Sequence, residues 1–342
     1  MFDTVKRVCS NIGPEPSVCS CDQPLTPEFV ATLFRMKLLH GFDDPAAYQG
    51  AYVSIGNFDG VHRGHRTMIA RLIELARRDG VPAVVMTFSP HPIEILRPQH
   101  APPPLTTLER KAELLGECGV DFVIAYPTDR ALLQLTPDEF FHSIMLTKLQ
   151  ARGMVEGDNF FYGHDRAGNV QTLRAACDAA GMTLDVITPV RLGSRVVSSS
   201  VIRKLVAEGE VTEAAELLGS RYQLRGRVTT GAARGRTIGF PTANLIDVVT
   251  EFPKDGVYAG LVVVQNRGVR AAINIGSNPT FAEHQRKFEV HLLDFQGDLY
   301  GQVLSVEFLT RLRDTRPFGS VEELVAQLQN DVAQVRNLDL AP

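Results

Sequence analysis

Apolar runs alternate with amphipathic stretches between residues 51 and 190, and this alternation constrains the fold more than any other feature of the chain. The runs AYVSI (51–55), PAVVMTF (82–88) and LDVITPV (184–190) have the length and composition of buried strands. Strands that alternate with helices form a parallel sheet covered on both faces, so an α/β domain is expected. Ligands of such sheets bind beyond the carboxyl ends of the strands.

The pattern of the sequence changes after residue 218. Short β-rich runs separated by turn residues predict a small antiparallel barrel. A closing helix follows, with Ser320 at its N-cap and Glu323 in the capping-box position. We therefore expect four segments: an N-terminal extension of unknown role (1–48) with a short helix near 27–39, an α/β domain (49–205), a helical linker (206–218) and a β-barrel domain (219–337).

Composition and charge narrow the range of partners. With 342 residues the chain is long enough for two cores, and a formal net charge of −4 argues against a nucleic acid or a membrane surface as the main partner. No apolar run reaches the roughly 18–20 residues of a membrane helix, and no signal peptide is evident, so a cytoplasmic protein is expected. Cys19 and Cys21 could suggest a metal site, but no Cys or His pair of suitable spacing accompanies them. The five cysteines are therefore expected to be reduced and mostly structural. The sequence does not indicate the oligomeric state.

A glycine-rich segment, SIGNFDGVHRGH (54–65), follows the first predicted strand and opens the first predicted helix. Backbone N–H groups at a helix N-terminus, beside glycines that allow close approach, favour an anion. His62 and His65 add hydrogen-bond donors there, and each can carry charge near pH 7. The segment therefore indicates a phosphate site, and the alternative is a turn with two solvated histidines.

A second segment, SSSVIRKL (198–205), follows the last predicted strand and also opens a helix. Ser199 and Ser200 offer hydroxyl groups, and Arg203 lies one helical turn further along. Taken alone, the serines are explained by an ordinary helix N-cap. Because both segments follow strands of one domain, a polyphosphate could bridge them.

Together the two segments resemble the nucleotidylyltransferase superfamily, whose H-x-G-H and S-S-T-x-x-R motifs hold the phosphates of ATP. The first motif reads His62-Arg63-Gly64-His65 here, and the second has Ser200 where threonine is commoner. The resemblance implies catalytic roles for His62, His65 and Arg203. It implies ATP or phosphate binding by Gly56, Asn57, Phe58, Gly64, Ser199 and Ser200.

Two further segments resemble the FMN adenylyltransferase module of the prokaryotic bifunctional riboflavin kinase/FAD synthetase family. They are TFSPHP (87–92) and EGDNFFYGHDRAGN (156–169). Asn159 takes the acidic-or-amide position of the family's G-x-[DN]-F-x-[FY]-G and is implied to contact the flavin. The structural alternatives are that the two prolines, Pro90 and Pro92, end a strand and that the three aromatic residues after Asn159 belong to the core.

The C-terminal half resembles the riboflavin kinase of the same family. The run GRVTTGAARGRTIGFPTANL (226–245) matches G-x-V-x-x-G-x-x-x-G-R-x-x-G-[FY]-P-T-A-N-[LI], and DGVYAG, INIGSNPTF and FEVHLLDF follow in the family's order. The resemblance spans about residues 51–331. It implies a Rossmann-like nucleotidylyltransferase domain followed by a riboflavin kinase barrel. The implied activity is conversion of riboflavin to FMN and of FMN to FAD, with ATP and Mg²⁺ and without a tightly bound prosthetic group.

In the barrel, the glycines of the signature suit a loop folded over phosphates, with Arg236 as a charged neighbour. The resemblance implies that Thr242 and Asn244 hold Mg²⁺ and the ATP phosphates, and hydroxyl and amide oxygens are suitable hard ligands. Glu289 matches the family's base, and its alternative is a solvated strand face. The remaining implied contacts are Gly231 and Gly235 for phosphate and Asn274, Asn278, Thr280 and Arg313 for the flavin.

The chain departs from the family pattern near its C-terminus. The family often has R-x-E-x-[KR]-F, where this chain reads RDTRPF (313–318), so that Thr315 replaces the acid and Pro317 the base.

The adenylyltransferase reaction implied for the α/β domain needs no protein nucleophile. The phosphate of FMN is already an anion that can attack the α-phosphorus of ATP.

Two alternatives to the bifunctional enzyme follow from the same residues. One is a nucleotidylyltransferase for another acceptor, such as a pantetheine or nicotinamide phosphate, and the barrel signature argues against it. The other is a flavin-binding carrier with degenerate catalysis, against which the intact His62, Arg203 and Glu289 argue.

Overall fold

The computed structural model describes residues 36–231, 234–265, 267–278 and 283–339. The strands are β1 Lys37–His40, β2 Tyr52–Ile55, β3 Ala83–Ser89, β4 Phe122–Pro127, β5 Gly153–Gly157, β6 Phe161–Tyr162, β7 Gly168–Asn169, β8 Thr183–Ile187, β9 Arg191–Leu192, β10 Arg195–Val196, β11 Gln223–Thr229, β12 Ala243–Ile246, β13 Gly256–Val264, β14 Arg267–Asn278, β15 Glu283–Leu292 and β16 Val303–Arg313. The helices are α1 Arg63–Asp79, α2 Pro92–Leu96, α3 Leu108–Glu117, α4 Arg130–Gln134, α5 Pro137–Phe140, α6 Val170–Ala180, α7 Ser199–Glu208, α8 Val211–Leu218, α9 Arg234–Thr237 and α10 Val321–Asn337.

The first half of the described chain is a parallel sheet with the strand order β1-β4-β3-β2-β5-β8. Helices cover both faces, because successive residues of β2 enter different cores: Val53 and Ile55 belong to one apolar cluster and Tyr52 to the other. The predicted α/β domain is thus confirmed. The chain moves from β2 outward to β3 and β4 and then crosses to β5, so the order reverses between β2 and β5. Such a reversal opens a crevice at the carboxyl ends of the strands.

The edge of this sheet differs from the sequence-based expectation. Lys37–His40 forms strand β1, which pairs with Phe122–Ala125 of β4. The predicted helix over 27–39 is therefore wrong for residues 37–39. Tyr48 is also fully buried in the sheet's core. Residues 37–48, expected to belong to an N-terminal extension, are therefore part of the sheet domain. The rest of the predicted helix, 27–35, lies outside the described residues.

The sequence TPDEF (136–140) predicts a capping box at the start of a helix that runs to about residue 149, and the capping box is present at the start of α5. Thr136 Oγ1 accepts a hydrogen bond from the Glu139 backbone N–H, and the Glu139 carboxylate accepts one from the Thr136 backbone N–H. The segment was expected to continue as one helix to about residue 149. Instead α5 passes into a π-helix over Phe141–Lys148.

The second half forms a closed barrel with the strand order β11-β12-β15-β14-β13-β16, as predicted. Its interior is filled by apolar side chains such as Leu224, Val262, Ile273 and Phe308, all fully buried. No substrate can therefore occupy the interior, and the polar residues of the barrel lie on its outer surface. The closing helix α10 has Ser320 as N-cap and packs Val335 against the outside of the barrel.

The segment between the two halves is rigidly packed. Ile202 and Val206 of α7 and Leu217 of α8 belong to the same buried cluster as Tyr222 and Phe308 of the barrel. The last helical turn of α7 also accepts a hydrogen bond at the Val206 carbonyl from the Lys254 backbone N–H. The region predicted as a helical linker, 206–218, holds the end of α7 and all of α8, and its apolar side chains are continuous with the barrel's core.

Within the described ranges, Cys118 and Cys177 are free thiols, and the other cysteines lie outside them. Across the same ranges there is no helix with the length and apolar character needed to span a bilayer.

Candidate functional site

A tight loop connects the carboxyl end of β2 to α1, and we call residues 56–65 the histidine loop. Phe58 and Val61 adopt left-handed backbone conformations, with φ of 47° and 41°. Gly60 has φ of 81°, and a Cβ atom there would approach Leu105 and Leu218 to 3.0 Å. This turn places both histidines beside the crevice between β2 and β5. The crevice lies at the carboxyl ends of the strands, where α/β domains bind ligands.

The two histidines stack on each other at the start of α1. His62 is the N-cap, and its Nδ1 accepts a hydrogen bond of 3.3 Å from the His65 backbone N–H. The ring centroids lie 3.6 Å apart with an interplanar angle of 13°. A Cβ atom on Gly64 would come within 3.2 Å of the His62 ring, which explains why this position suits glycine.

Burial disfavours the charged form of both histidines. It lowers the pKa of His62 from 6.5 to about 4, and His62 is only 6% exposed. Burial, and then the charges of His62 and Lys111, hold the pKa of His65 well below its ordinary value. The sequence indicates that each histidine can carry charge near pH 7, and burial opposes that charge at both positions. The two rings can still act as neutral hydrogen-bonding groups.

Two buried polar atoms of the histidine loop lack partners within the described residues. They are Nδ1 of His65 and the side-chain oxygen of Asn57. Buried polar groups without partners are rare, and one ordinary reason for them is a ligand that supplies the missing partner. The loop therefore has unused hydrogen-bonding capacity at the predicted phosphate site.

The structure brings the second segment onto the first through Asp59. The Ser199 hydroxyl donates to the Asp59 carbonyl at 2.9 Å, and an Arg203 terminal nitrogen donates to the Asp59 carboxylate at 2.9 Å. Arg203 Nε also donates to the Pro103 carbonyl at 3.0 Å. Ser198 is the N-cap of α7, as the simpler interpretation predicted, and Ser200 is exposed in its first turn.

A buried carboxyl group marks the point where β2 and β5 diverge. The last registered pair of these strands is Val53 with Met154. Beyond it, the Ile55 backbone N–H donates instead to Glu156 Oε1 at 2.8 Å. Glu156 is 1% exposed, and burial raises its pKa well above the ordinary value. Glu156 therefore replaces a missing ladder hydrogen bond at the mouth of the crevice.

Asn159 lies just beyond this crevice, in the loop after β5. It is exposed, and its side-chain oxygen lies close to Gly157. Of the aromatic residues that follow, Tyr162 is buried and stacks on Phe160, whereas Phe161 is exposed beneath the Arg166 guanidinium. The alternative that these aromatic residues belong to the core thus holds for Tyr162. A flavin contact by Asn159 stays a prediction.

Three residues of this site were missed by reasoning from the sequence: Asp59, His91 and Lys111. His91 is the N-cap of α2, and its Nδ1 accepts from the Ile93 backbone N–H. Lys111 lies on α3, and its ammonium donates to Thr87 Oγ1 at 3.3 Å. His91 belongs to the TFSPHP segment, so the resemblance already contained a signal for it. Lys111 looks like a surface lysine in the sequence, and only the fold buries it.

In the barrel, three predicted site residues lie side by side on neighbouring strands. Asn244 of β12 pairs with Glu289 of β15, and Glu289 pairs with Asn274 of β14. Asn274 Nδ2 donates to Glu289 Oε2 at 3.4 Å. Their chain neighbours Val290 and Ile273 point into the filled interior, so this polar row faces outward. We call it the barrel row.

The glycine-rich loop before β12 folds closely against the barrel row. A Cβ atom on Gly231 would overlap the Asn244 amide, and one on Gly235 would overlap the Phe240 carbonyl oxygen. A side chain at position 235 would thus collide with backbone, and one at position 231 would displace the Asn244 amide. Thr242 and Arg236 are exposed beside them, and Thr242 Oγ1 lies close to Gly235.

His291, which the sequence reasoning missed, anchors this loop from the next strand. Its Nδ1 lies 2.7 Å from the Pro241 carbonyl oxygen, and its ring contacts Phe240 edge-on. His291 lies two residues after Glu289 and so shares its face of the sheet. That spacing was the available signal.

The structure gives Arg313 a different partner from the one expected. Its guanidinium donates to both carboxylate oxygens of Asp331 on α10, with a shortest distance of 2.7 Å, and Asp331 is 1% exposed. This pair fastens the closing helix to the barrel. A structural role therefore accounts for Arg313, and its flavin contact stays a prediction. Asn278 ends β14, and Thr280 lies outside the described residues.

The described residues contain no group of three or more His, Cys, Asp or Glu side chains that could hold a metal ion by themselves. Beside the glycine-rich loop, the available hard donors are the Thr242 hydroxyl and the Asn244 amide oxygen. A divalent cation there would need phosphate oxygens and water to complete its coordination.

Comparisons with known proteins agree with these two regions. The family model described as FAD synthetase matches residues 44–201, and that described as riboflavin kinase matches residues 218–338. The bifunctional riboflavin kinase/FMN adenylyltransferase of Escherichia coli K12 is 36% identical over 304 residues, covering 88% of this chain and 97% of the relative. The enzyme of the same name from Pseudomonas fluorescens is 37% identical over 305 residues, covering 89% of this chain and 98% of that relative. The crystal structure of a macrolide-efflux protein from Streptococcus pneumoniae is also similar, with a TM-score of 0.80, 32% identity, and 89% and 100% coverage.

Proposed function

Because this chain belongs to the family of bifunctional riboflavin kinase/FMN adenylyltransferases, we propose that its two sites act one after the other. The protein is a transferase whose barrel phosphorylates riboflavin to FMN and whose sheet domain converts FMN to FAD, each with ATP. The observation that best supports the residue assignment is the convergence of the histidine loop and α7 on Asp59. Ser199 and Arg203 of the second motif both contact Asp59, which supports a single site built from the two motifs.

In the kinase reaction, a riboflavin hydroxyl attacks the γ-phosphorus of ATP, and ADP leaves. Glu289 takes the hydroxyl proton, and the neighbouring Asn274 amide orients its carboxylate. The loop that carries Gly231 and Gly235 covers the phosphates, with its backbone held close to Asn244. The protein thus supplies a base and a fixed geometry, and phosphoryl transfer needs little more from it.

The residues beside the loop suit Mg²⁺. Thr242 and Asn244 present one hydroxyl and one amide oxygen, and the phosphates of ATP provide the charged ligands that these neutral groups lack. A bound Mg²⁺ would neutralise charge on the phosphate oxygens.

In the adenylyltransferase reaction, a phosphate oxygen of FMN attacks the α-phosphorus of ATP. The bond from the α-phosphorus to the bridging oxygen breaks, and pyrophosphate leaves. His62, His65 and the N-terminus of α1 would donate hydrogen bonds to the phosphates. Arg203 would add positive charge, since Asp59 and the Pro103 carbonyl fix its guanidinium beside the histidine loop.

The remaining site residues take supporting roles in this proposal. Gly56, Asn57, Phe58 and Gly64 shape the histidine loop, and Ser199 and Ser200 open α7. The substrates are riboflavin, FMN and ATP. The cytoplasmic location and the absence of a nucleic-acid partner stay predictions.

A time course with riboflavin, ATP and Mg²⁺ tests the proposal. We expect FMN to appear first and FAD to follow, and supplied FMN to give FAD directly. Flavin binding without ATP consumption would instead support a carrier protein. Adenylylation of pantetheine or nicotinamide phosphates, offered together with FMN and preferred over it, would support the other nucleotidylyltransferase.

A further inference from the structure

Lys111 is a buried cation at the edge of the histidine loop. It is 8% exposed, and its only hydrogen bond within the described residues is the one it donates to Thr87 Oγ1 at 3.3 Å. Thr87 is fully buried and donates in turn to the Asn57 carbonyl at 3.3 Å. The ammonium group therefore lies one side chain away from the loop that carries His62 and His65.

The nearest acidic group does not neutralise Lys111. The Asp59 carboxylate accepts hydrogen bonds from the Leu105 and Thr106 backbone N–H groups and from Arg203. No carboxylate lies within ion-pair distance of Lys111 in the described part of the chain. Asp59 and Glu94 act on Lys111 only from further away, and burial lowers its pKa.

The effect of Lys111 extends over both neighbouring histidines. After burial, the charge of Lys111 is among the causes that lower the pKa of His65 and of His91. Lys111 thus contributes positive potential at both rings. A buried charge without a partner is costly, and proteins place such groups where a ligand supplies the opposite charge.

Building on the proposed function, we propose that Lys111 binds a phosphate oxyanion of the adenylyl-transfer substrates. The site has histidines whose charged forms burial disfavours, and one of them, His65, has an unpartnered ring nitrogen. It therefore needs a cation to balance the charge that a polyphosphate brings, and Arg203 is already shared with Asp59. Lys111 supplies that charge from the β3 side of the crevice. The oxyanion belongs either to FMN or to the triphosphate of ATP.

Kinetics of a Lys111→Met variant test this role, since methionine keeps the length and apolar stem of lysine. We expect its FAD formation from FMN to fall at least about tenfold, the loss expected for a hydrogen bond to a charged group. Riboflavin phosphorylation should stay unchanged. The matched control is Lys148→Met, because Lys148 is exposed on the π-helix.

The kinetic constants identify the oxyanion that Lys111 binds. A rise in KM for FMN assigns the FMN phosphate, and a rise in KM for ATP with weaker pyrophosphate binding assigns the triphosphate. If neither KM exceeds that of the control, the proposal is overturned.

Thermal unfolding provides a readout that does not depend on turnover. Without ligand, Lys111→Met should unfold at a higher temperature than the wild type, because it removes an unpaired buried charge. The matching ligand, pyrophosphate if Lys111 binds the triphosphate or FMN if it binds the flavin phosphate, should raise the unfolding temperature of the wild type more than that of the variant. A lower unfolding temperature, combined with unchanged effects of both pyrophosphate and FMN, would show that Lys111 is purely structural. If the Met variant does not accumulate, Lys111→Gln replaces it.

The two proposals fail in distinguishable ways. A wild-type protein that makes no FAD refutes the proposed function, while the pyrophosphate measurement still tests Lys111. A wild type that makes FAD, with a variant that matches the control, refutes only the role of Lys111.

Discussion

The Arg203 guanidinium lies 2.9 Å from the Asp59 carboxylate, although 144 residues separate them in the chain. Both side chains are mostly buried, with 19% and 12% of their surface exposed. Asp59 also accepts hydrogen bonds from the Leu105 and Thr106 backbone N–H groups. One carboxylate therefore fixes the arginine and the loop before α3 at the same time.

We expect Asp59→Asn to lose most FAD formation and to keep FMN formation. Either orientation of the asparagine amide turns an NH₂ group toward donors, so a repulsive contact replaces at least one hydrogen bond. The free energy of unfolding should fall by about 1–3 kcal/mol, and displacement of Arg203 should slow FAD formation roughly 10²-fold. Urea unfolding and separate assays of the two reactions measure these effects.

Asp294→Asn is the control for this variant. Asp294 pairs with Arg336 at 2.6 Å on the surface, where both side chains are more than half exposed. Such a pair contributes about 0–1 kcal/mol. Equal behaviour of the two variants would contradict the role given to Asp59.

His65→Ala should leave FMN formation intact and reduce FAD formation. His65 belongs to the histidine loop alone, and loss of one donor to a transition state costs about 2.7–4 kcal/mol, roughly 10²–10³ in rate. His142→Ala is the matched control, since His142 is exposed on the π-helix. Wild-type rates of FAD formation by the His65 variant would exclude this residue from the reaction.

Glu289→Gln should show the opposite separation of activities. The amide keeps the size of the side chain but cannot accept the riboflavin proton, so FMN formation should fall by about 10²–10⁴. Conversion of supplied FMN to FAD and binding of riboflavin should persist. Glu307→Gln, on β16 beside Arg221, is the control. A change within a few-fold of the wild type would make Glu289 an ordinary surface residue of the strand.

Stability should fall as the pH drops from about 6.5 to about 4 because His62 is buried in its neutral form. Its pKa is lower in the folded protein, so the unfolded chain binds more protons in this range, and acidification favours unfolding. The contribution is at most about 3 kcal/mol, and it is fully present above the ordinary pKa. Urea midpoints at several pH values measure it. His62→Asn retains an N-cap and should lose less stability on acidification, whereas an identical pH profile would contradict this account.

Shortening the chain tests the boundary of the sheet domain. A chain that begins at Met36 should make FAD like the full protein. One that begins at Tyr48 lacks β1 and leaves residues 122–125 of β4 as an unpaired edge, which should lower the unfolding temperature and promote aggregation. Size-exclusion chromatography and thermal unfolding distinguish the two. Equal stability of both would mean that β1 contributes nothing to the sheet.

Local sequence signals predicted most of the fold. The buried strands, the capping box at Thr136 and the N-cap at Ser320 depend on neighbouring residues, so they can be read from the chain. Strand β1 could not, because four residues at a sheet edge are stabilised by pairing with a distant strand, β4.

The site was predictable to the extent that its motifs are contiguous. His62, His65, Asn244 and Glu289 belong to short motifs, but the charge of a histidine depends on burial, which the fold decides. Asp59 and Lys111 gain their importance from partners on other elements. Arg313 shows the converse, since a buried aspartate on the closing helix already occupies its guanidinium.

Helix α7 begins beside the histidine loop, and its apolar side chains pack in the same buried cluster as the barrel's core. In the described residues, packed helices rather than an extended linker therefore connect the two proposed reaction centres. Under the proposed function, FMN made at the barrel row would have to leave that surface and reach the histidine loop, since packed helices join the two regions. FMN released in this way would be open to capture by other FMN-binding proteins before it becomes FAD.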